Sequence, residues 1–286
     1  MIELDLASLK SVRAAADKLA ADGRLFDILI ANAGVMATPF GKTEDGFETQ
    51  FGTNHLGHFV FVNRIAKLIK NGGRLVNLSS AGHRYSDVDL NDPNFETTPY
   101  APFVAYGRSK TANILFAVEF DRRHRDRGVR GTAVHPGGIV TELARHMPDG
   151  AMDTWVQQIQ EQRAAAGEPP FEFKSIPQGV ATSVWAGVIA SAEEGAGLLG
   201  CIAQKALQKL RHEHGRGKGD GPDKKHHDAC GGKVEVFEQA YVDNRIFLVP
   251  LPDHQERETN DCDDNQCTDE VRAEPVVLLS LVESDL

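Results

Sequence analysis

Cysteine is scarce and unevenly placed: the four residues Cys201, Cys230, Cys262 and Cys267 all lie in the last third, leaving the first 200 residues without any. This distribution excludes a secreted disulfide framework. Long apolar runs are missing too. No stretch approaches the roughly 18 to 20 apolar residues of a membrane span. The first ten residues lack the basic stretch and apolar run of a secretory signal, so the expectation is a soluble, cytoplasmic protein. Basic residues are outnumbered, 31 Lys and Arg against 41 Asp and Glu, giving a net charge of -10 and a pI near 5.6. Such a balance argues against nucleic acid as the main partner, and it selects no substrate. What remains is ordinary: 286 residues, 41% hydrophobic and 25% charged, enough for one large α/β domain or two small ones.

Hydrophobic spacing divides the first 200 residues into alternating elements. Residues 5–21 carry Leu6, Leu9, Val12, Ala16, Leu19 and Ala20 at helical spacing, with Ser8 as cap and Gly23 just past the end. Residues 26–31 form an apolar run broken only by Asp27, which predicts a buried parallel strand ending in Asn32, Ala33 and Gly34. Thr43, with Glu44 and Asp45, predicts the capped start of a long helix through Phe47, Phe51, Leu56, Phe59, Val62, Ile65 and Leu68, closed by Gly72 and Gly73. A strand follows at 74–80, then a loop at 82–102, a helix at 105–127 and a strand at 131–135. Helices are expected at 151–166 and 177–192. Strand and helix in alternation predict a parallel sheet with right-handed crossovers.

Four features fall at strand ends or on the intervening helices. Asn32, Ala33 and Gly34 end one strand, where open α/β sheets bind ligands. Asn54 lies inside a long helix between Gly52 and Gly57, where its side chain competes for backbone hydrogen bonds; either a functional role or a bond to a neighbouring strand would compensate. Ser79 and Ser80 end the next strand, and alternation turns their hydroxyls to opposite faces. Tyr106 and Lys110, four residues apart on a helix, share one face and can act on one ligand. Alone, that spacing also describes an exposed helix pair.

Taken in order with Pro136 and Gly137, the set resembles the short-chain dehydrogenase/reductase family, whose fold is a doubly wound Rossmann sheet. Residues 53–59 and 105–116 (Ala-Tyr-Gly-Arg-Ser-Lys-Thr-Ala-Asn-Ile-Leu-Phe) further resemble the branch of retinol-dehydrogenase-like and WW-domain-oxidoreductase-like enzymes. The resemblance spans about residues 1–200 and implies hydride transfer between an alcohol or carbonyl compound and NAD or NADP. By it, Tyr106 is the acid/base, Lys110 its electrostatic partner and a ribose ligand, Ser80 orients the carbonyl, and Asn54 holds a water in the proton relay. An unperturbed tyrosine has a pKa of about 10, so a nearby ammonium and the positive nicotinamide are expected to favour phenolate. The resemblance assigns Asn32, Ala33 and Gly34 to the adenine ribose, Asp5 to the adenine, and Pro136, Gly137, Ile139 and Thr141 to the nicotinamide amide. It makes the segment after Thr141 a substrate lid, where Met147, Met152 and Trp155 hint at an apolar substrate, and it implies a homodimer or homotetramer through the two long helices. A sugar-nucleotide epimerase shares the tyrosine and lysine but carries a larger substrate domain.

The pattern is incomplete. The family's glycine-rich first turn, which cradles pyrophosphate at a helix N-terminus, has no counterpart here, so the expected fold is an incomplete doubly wound parallel sheet lacking the first βαβ units. The stretch 195–200 is glycine-rich but leads into no suitable helix. Residues 201–286 form an atypical, partly disordered tail with candidate strands at 234–237, 245–251 and 275–282. His226 to Cys230 and the Cys262, Cys267 pair lack zinc spacing, and Gln266 and Arg272 break a calcium loop. The alternative to an enzyme is therefore an inactive remnant that keeps the catalytic face and serves as a binding module.

Overall fold

The structure, a computed structural model, describes residues 2–190 and the backbone of three further strands. Its strands are β1 (Ile2–Leu4), β2 (Phe26–Ala31), β3 (Ile69–Leu78), β4 (Arg130–His135), β5 (Gly197–Gly200), β6 (Ile246–Val249) and β7 (Val277–Leu281). They form one sheet in the order β1-β7-β6-β2-β3-β4-β5. β2, β3, β4 and β5 run parallel, with Leu29 opposite Leu75 and Leu75 opposite Gly131. This is the Rossmann-like half that alternation predicts.

Helices cover both faces. α1 (Leu9–Asp22) starts where the Ser8 hydroxyl accepts from Ser11 N and stops at Gly23, whose φ of 70° suits a residue without a side chain. α2 is continuous from Thr49–Phe51 through the π-turn Gly52–Gly57 to His58–Ile65. α3 is Pro102–His124, α4 is Ala151–Ala165, and α5 is Ile176–Val184 followed by the π-turn Trp185–Ile189. One core joins Val12 and Leu19 of α1, Leu29 of β2, Phe61 and Ile65 of α2, Leu75 of β3 and Phe120 of α3. Each such buried side chain contributes about 1.5–3 kcal/mol. On the opposite face Gly187, after α5, lies against Ile28 and Val76.

Several expectations change. Gly72 and Gly73, expected to close the long helix, lie inside β3, which runs 69–78 rather than 74–80. The long helix begins at Thr49, not Thr43, because Glu48 caps it, its side chain accepting from Gln50 N and Phe51 N. Glu44 and Asp45 instead serve α1: Ser8 Oγ donates to Glu44 Oε2 at 2.5 Å and Leu9 N to Asp45 Oδ2 at 2.7 Å. A carboxylate gains the same stabilisation at any helix N-terminus it can reach, and here the reachable one belongs to another helix. The glycine-rich stretch 195–200 is in part a strand, β5, paired parallel to β4 through Thr132 and Gly197. The sheet is also not wholly parallel: β6 runs antiparallel to β2 and to β7, while β7 runs parallel to β1.

β6 and β7 fall within two of the candidate tail strands. The candidate at 234–237, the four cysteines, the histidines at 226–227 and the acidic stretch 253–274 lie outside the described residues. Among the described residues, no cluster of three His, Cys, Asp or Glu side chains could hold a metal, and no helix is long and apolar enough to cross a membrane.

Candidate active site

Asn54 occupies the π-turn of α2, and the turn resolves its awkward helical position. It is fully buried; its Oδ1 accepts from Val35 N at 2.8 Å, and its Nδ2 donates to Val35 O at 2.9 Å and Ser109 Oγ at 3.0 Å. Both amide hydrogens are thus committed to protein partners, and the side chain fastens the loop after β2 to α3. A π-turn widens the helix by one residue and is often found at functional sites. The close approach of α2 to the β1–α1 connection also explains Gly57: a Cβ there would stand 2.5 Å from Leu6 O.

At the end of β3 the two serines diverge. Ser79 is buried and donates to Lys110 O at 2.9 Å. Ser80 caps a short 3-10 turn at Ala81–Tyr85, accepting from Gly82 N at 3.1 Å, and its hydroxyl lies near enough to the Tyr106 phenol to favour the charged form. Tyr106 and Lys110 are each 4% exposed, and the ammonium lies 5.5 Å from the phenol ring centroid. Gly82 completes the contact, since a Cβ there would meet the Tyr106 ring at 2.7 Å.

Burial dominates the electrostatics of the pair. It pushes the Tyr106 phenol up to about 12, against the opposing Ser80 hydroxyl, and pulls Lys110 down to about 8. The ligand-free site therefore holds a neutral phenol beside a lysine that is still charged at neutral pH, rather than a phenolate. Lys110 Nζ donates to Leu78 O at 3.1 Å. A Cβ on Gly34 would stand 3.6 Å from that Nζ and 2.8 Å from Asn54 Oδ1, so a glycine keeps space beside the amine.

Other candidate residues sit around this centre. Ala33 is buried, and its carbonyl accepts from His58 Nε2 at 2.8 Å; burial lowers His58 to about 4, so the ring is neutral at pH 7. Asn32 is half-buried at the end of β2. Asp5 follows β1 on the far side of β6 and β7, where its Oδ1 accepts from Ala7 N at 2.8 Å. Pro136, Gly137, Ile139 and Thr141 line the loop after β4. Gly137 has a φ of 103°, Ile139 bridges to Lys174, and the Thr141 hydroxyl caps the short turn Glu142–Ala144. His135, lowered to about 4 by burial first and then by Lys174, Arg84 and His83, accepts from Gly137 N at 3.3 Å.

Around Trp155, which sequence reading names, the structure adds residues that it passed over. An open cleft of about 460 Å³ is lined by Tyr85, Phe103, Ala151, Thr154, Trp155 and Gln158. The four α4 residues recur at i, i+3, i+4 and i+7, a single helical face, on a helix with no buried residue. Trp155 Nε1 donates to Tyr85 Oη at 3.0 Å, and Tyr85 in turn perturbs Tyr106 electrostatically. Asn113, also passed over, donates to Asn54 O and Leu78 O at 3.1 and 3.0 Å. Its signal was present: Tyr106, Ser109, Lys110 and Asn113 recur at i, i+3, i+4 and i+7, and all four are buried.

The site thus sets a buried tyrosine–lysine pair on one helix beside a serine at the end of the neighbouring strand of a Rossmann-like sheet. The sequence pattern of the short chain dehydrogenases matches residues 1–151, and the chain belongs to that family. Retinol dehydrogenase 13 of Homo sapiens is 48% identical over 145 residues, 50% of this chain and 44% of that protein. Oxidoreductase calI of Penicillium decumbens is 39% identical over 221 residues, 74% of this chain and 62% of that one. The chain spans about half the length of the curated relatives it matches. The solved angucycline C-6 ketoreductase LanV, which holds NADP, shares the fold at 21% identity with a TM-score of 0.52, covering 70% of this chain and 72% of its own.

Proposed function

We propose that this protein is an NAD- or NADP-dependent oxidoreductase that interconverts an apolar alcohol and its carbonyl compound, with residues 1–200 as the catalytic unit. The observation that carries the reading is the buried Tyr106 phenol beside Ser80 and Lys110 at the carboxyl end of β3. The nicotinamide cofactor supplies the hydride donor or acceptor when bound. Lys110 fits its ribose: a buried ammonium has three N–H donors, one goes to Leu78 O, and Gly34 leaves room beside the rest. Asn32, Ala33 and Gly34, with Asp5, would meet the adenosine half, and Pro136, Gly137, Ile139 and Thr141 the nicotinamide.

In the reducing direction the Tyr106 phenol, held neutral by burial, donates its proton to the substrate oxygen as negative charge develops there. Ser80 donates a second hydrogen bond to the same oxygen and orients it. Lys110, charged at neutral pH, stabilises the phenolate left behind. Asn54 keeps Ser109, and with it the first turns of α3, against the β2 loop, and is assigned to the proton relay. The aromatic lining of the cleft supports an apolar substrate, as do the retinol dehydrogenases among the relatives. Exposed Phe59, Leu115 and Val118 on α2 and α3 support a homodimer or homotetramer, which light scattering would distinguish from a monomer.

A second reading, a binding module without turnover, has one observation in its favour. β6, the strand beside β2, runs antiparallel to it, with Ile246 opposite Ala31, so the start of β6 rather than its end lies at the ligand-binding edge. A strand in that direction cannot lead into a helix whose N-terminus faces the pyrophosphate there. Titration of NADH and NADPH into the protein, followed by nicotinamide fluorescence, separates the readings. The oxidoreductase reading expects binding that Tyr106→Phe spares, together with turnover that it abolishes. No binding at millimolar cofactor, or unchanged turnover in Tyr106→Phe, would refute it.

A further inference from the structure

Between α4 and α5 the segment 171–174 crosses the loop that follows β4, and two adjacent glycines of that loop receive it. A Cβ on Gly138 would stand 2.7 Å from Phe171 Cζ, and one on Gly137 would stand 2.9 Å from Cδ, Cε and Nζ of Lys174. A side chain at either position would displace the end of Lys174 or the Phe171 ring, and Gly137 also needs its φ of 103°.

The segment is tied at both ends. At the α4 end, Gln160 Nε2 donates to Phe171 O at 2.7 Å while Phe171 N donates to Gln160 Oε1 at 2.8 Å. At the loop end, Lys174 N donates to Gly138 O at 2.8 Å, Lys174 Nζ donates to Pro136 O at 3.0 Å, and Lys174 pairs with Ile139 as an isolated bridge. Between the ties, Phe171 and Phe173 pack on Trp155, their ring centroids 5.6 and 6.4 Å from that of the indole. Trp155 is itself a wall of the cleft, and it holds Tyr85 by a hydrogen bond.

We propose that Lys174 is a positioning residue: by docking the 171–174 strap on Pro136–Gly138 it fixes, in one movement, the aromatic wall of the cleft and the loop carrying Ile139 and Thr141. The lysine suits this task because a long flexible stem can lie in the space left by Gly137 while its ammonium reaches the Pro136 carbonyl, a charge-assisted bond. The strap thereby couples the surface that would meet an apolar substrate to the loop that would meet nicotinamide. Its kinetic consequence rests on the oxidoreductase reading, whereas its structural consequence does not.

The test uses the full chain with Lys174→Met and Lys174→Arg. Chymotrypsin cuts beside Phe171 and Phe173 only when the strap opens, so its rate reports the open population. Lys174→Met is expected to speed that cleavage about tenfold, the worth of one charge-assisted bond to a carbonyl, and to red-shift Trp155 emission as the indole loses its packing. Lys174→Arg, which keeps a cationic donor, is expected to restore both. If turnover is found, Lys174→Met should raise KM about tenfold and leave kcat within about threefold, because no reacting atom is touched. Unchanged cleavage and emission would overturn the proposal whether or not the protein turns over, and absent turnover with faster cleavage would overturn only the oxidoreductase reading. Should Lys174→Met lose its cooperative melt, Gly137→Ala presses a methyl on the lysine stem from the other side and is expected to give the same two changes. Neither change in that variant would equally overturn the proposal.

Discussion

Replacing Lys110 with methionine keeps the length and most of the volume of a side chain that is 4% exposed, but removes an ammonium from a site where burial has lowered its pKa from 10.5 to about 8. That depression is a destabilisation of the folded state. Below pH 8 the lysine is charged in both the folded and unfolded chain, and the full penalty applies. At 1.36 kcal/mol per pH unit, a shift of about two and a half units corresponds to about 3 kcal/mol. Between pH 8 and 10.5 the unfolded chain binds the proton and the folded one does not, so wild-type stability rises with pH until the penalty is gone. The variant has no such dependence at this position. It also gives up the bond to Leu78 O, which subtracts about 1 kcal/mol from its advantage. Lys110→Met is therefore expected to be more stable than wild type by about 2 kcal/mol at pH 7, and to lose that advantage by pH 10.5. Urea unfolding at 25 °C of both proteins across this range measures the difference directly, with equal m-values showing that the same surface unfolds. A difference that stays constant with pH, or a wild type already the more stable at pH 7, would refute the reasoning. Such a destabilising ammonium beside Tyr106 is what the proposed catalytic role would ask of Lys110.

Asn54→Ala would leave the buried N–H and C=O of Val35 without partners and is expected to lower stability by about 2–5 kcal/mol, read as a lower urea midpoint; a loss under about 1 kcal/mol would show that the π-turn does not depend on this amide. Gly82→Ala would press a methyl on the Tyr106 ring at 2.7 Å. On the proposed oxidoreductase reading it is expected to cut turnover at least about tenfold, since displacing an acid/base by about 1 Å costs that much or more, while the melting temperature moves only a few degrees; full activity would show that the ring position is not critical.

Local signals carried much of the fold. The bounds of β2 and the cap residues Ser8 and Gly23 of α1 could be read from a handful of adjacent residues, because periodicity and capping act over one or two turns. The candidate centre was legible for the same reason: Tyr106 and Lys110 lie one helical turn apart, and Ser79 and Ser80 separate by simple strand alternation. What escaped depends on contacts between distant segments. Glu44 and Asp45 look like caps for the helix they precede, and only the approach of α1 shows that they serve it instead. The cleft takes Tyr85 and Phe103 from one part of the chain and a face of α4 from another, so no single window displays it. The Gly137 and Gly138 pair reads as a turn, whereas its neighbours Phe171 and Lys174 lie more than thirty positions on. β6 and β7 were visible as apolar runs, but nothing in their composition fixed the antiparallel direction of β6.

The sheet order has a consequence for how the chain is assembled on the ribosome. β1 precedes its partner β7 by some 275 residues, and β2 waits for β6. Strands β2, β3 and β4 can pair as they emerge, but one edge of β2 stays unpaired until β6 is made and the whole of β1 until β7 is made. Such non-local pairing is slow, and an exposed edge invites pairing with other chains. The interval between the synthesis of β4 and that of β7, rather than the pairing of the parallel strands, would then be when this chain is most exposed to aggregation.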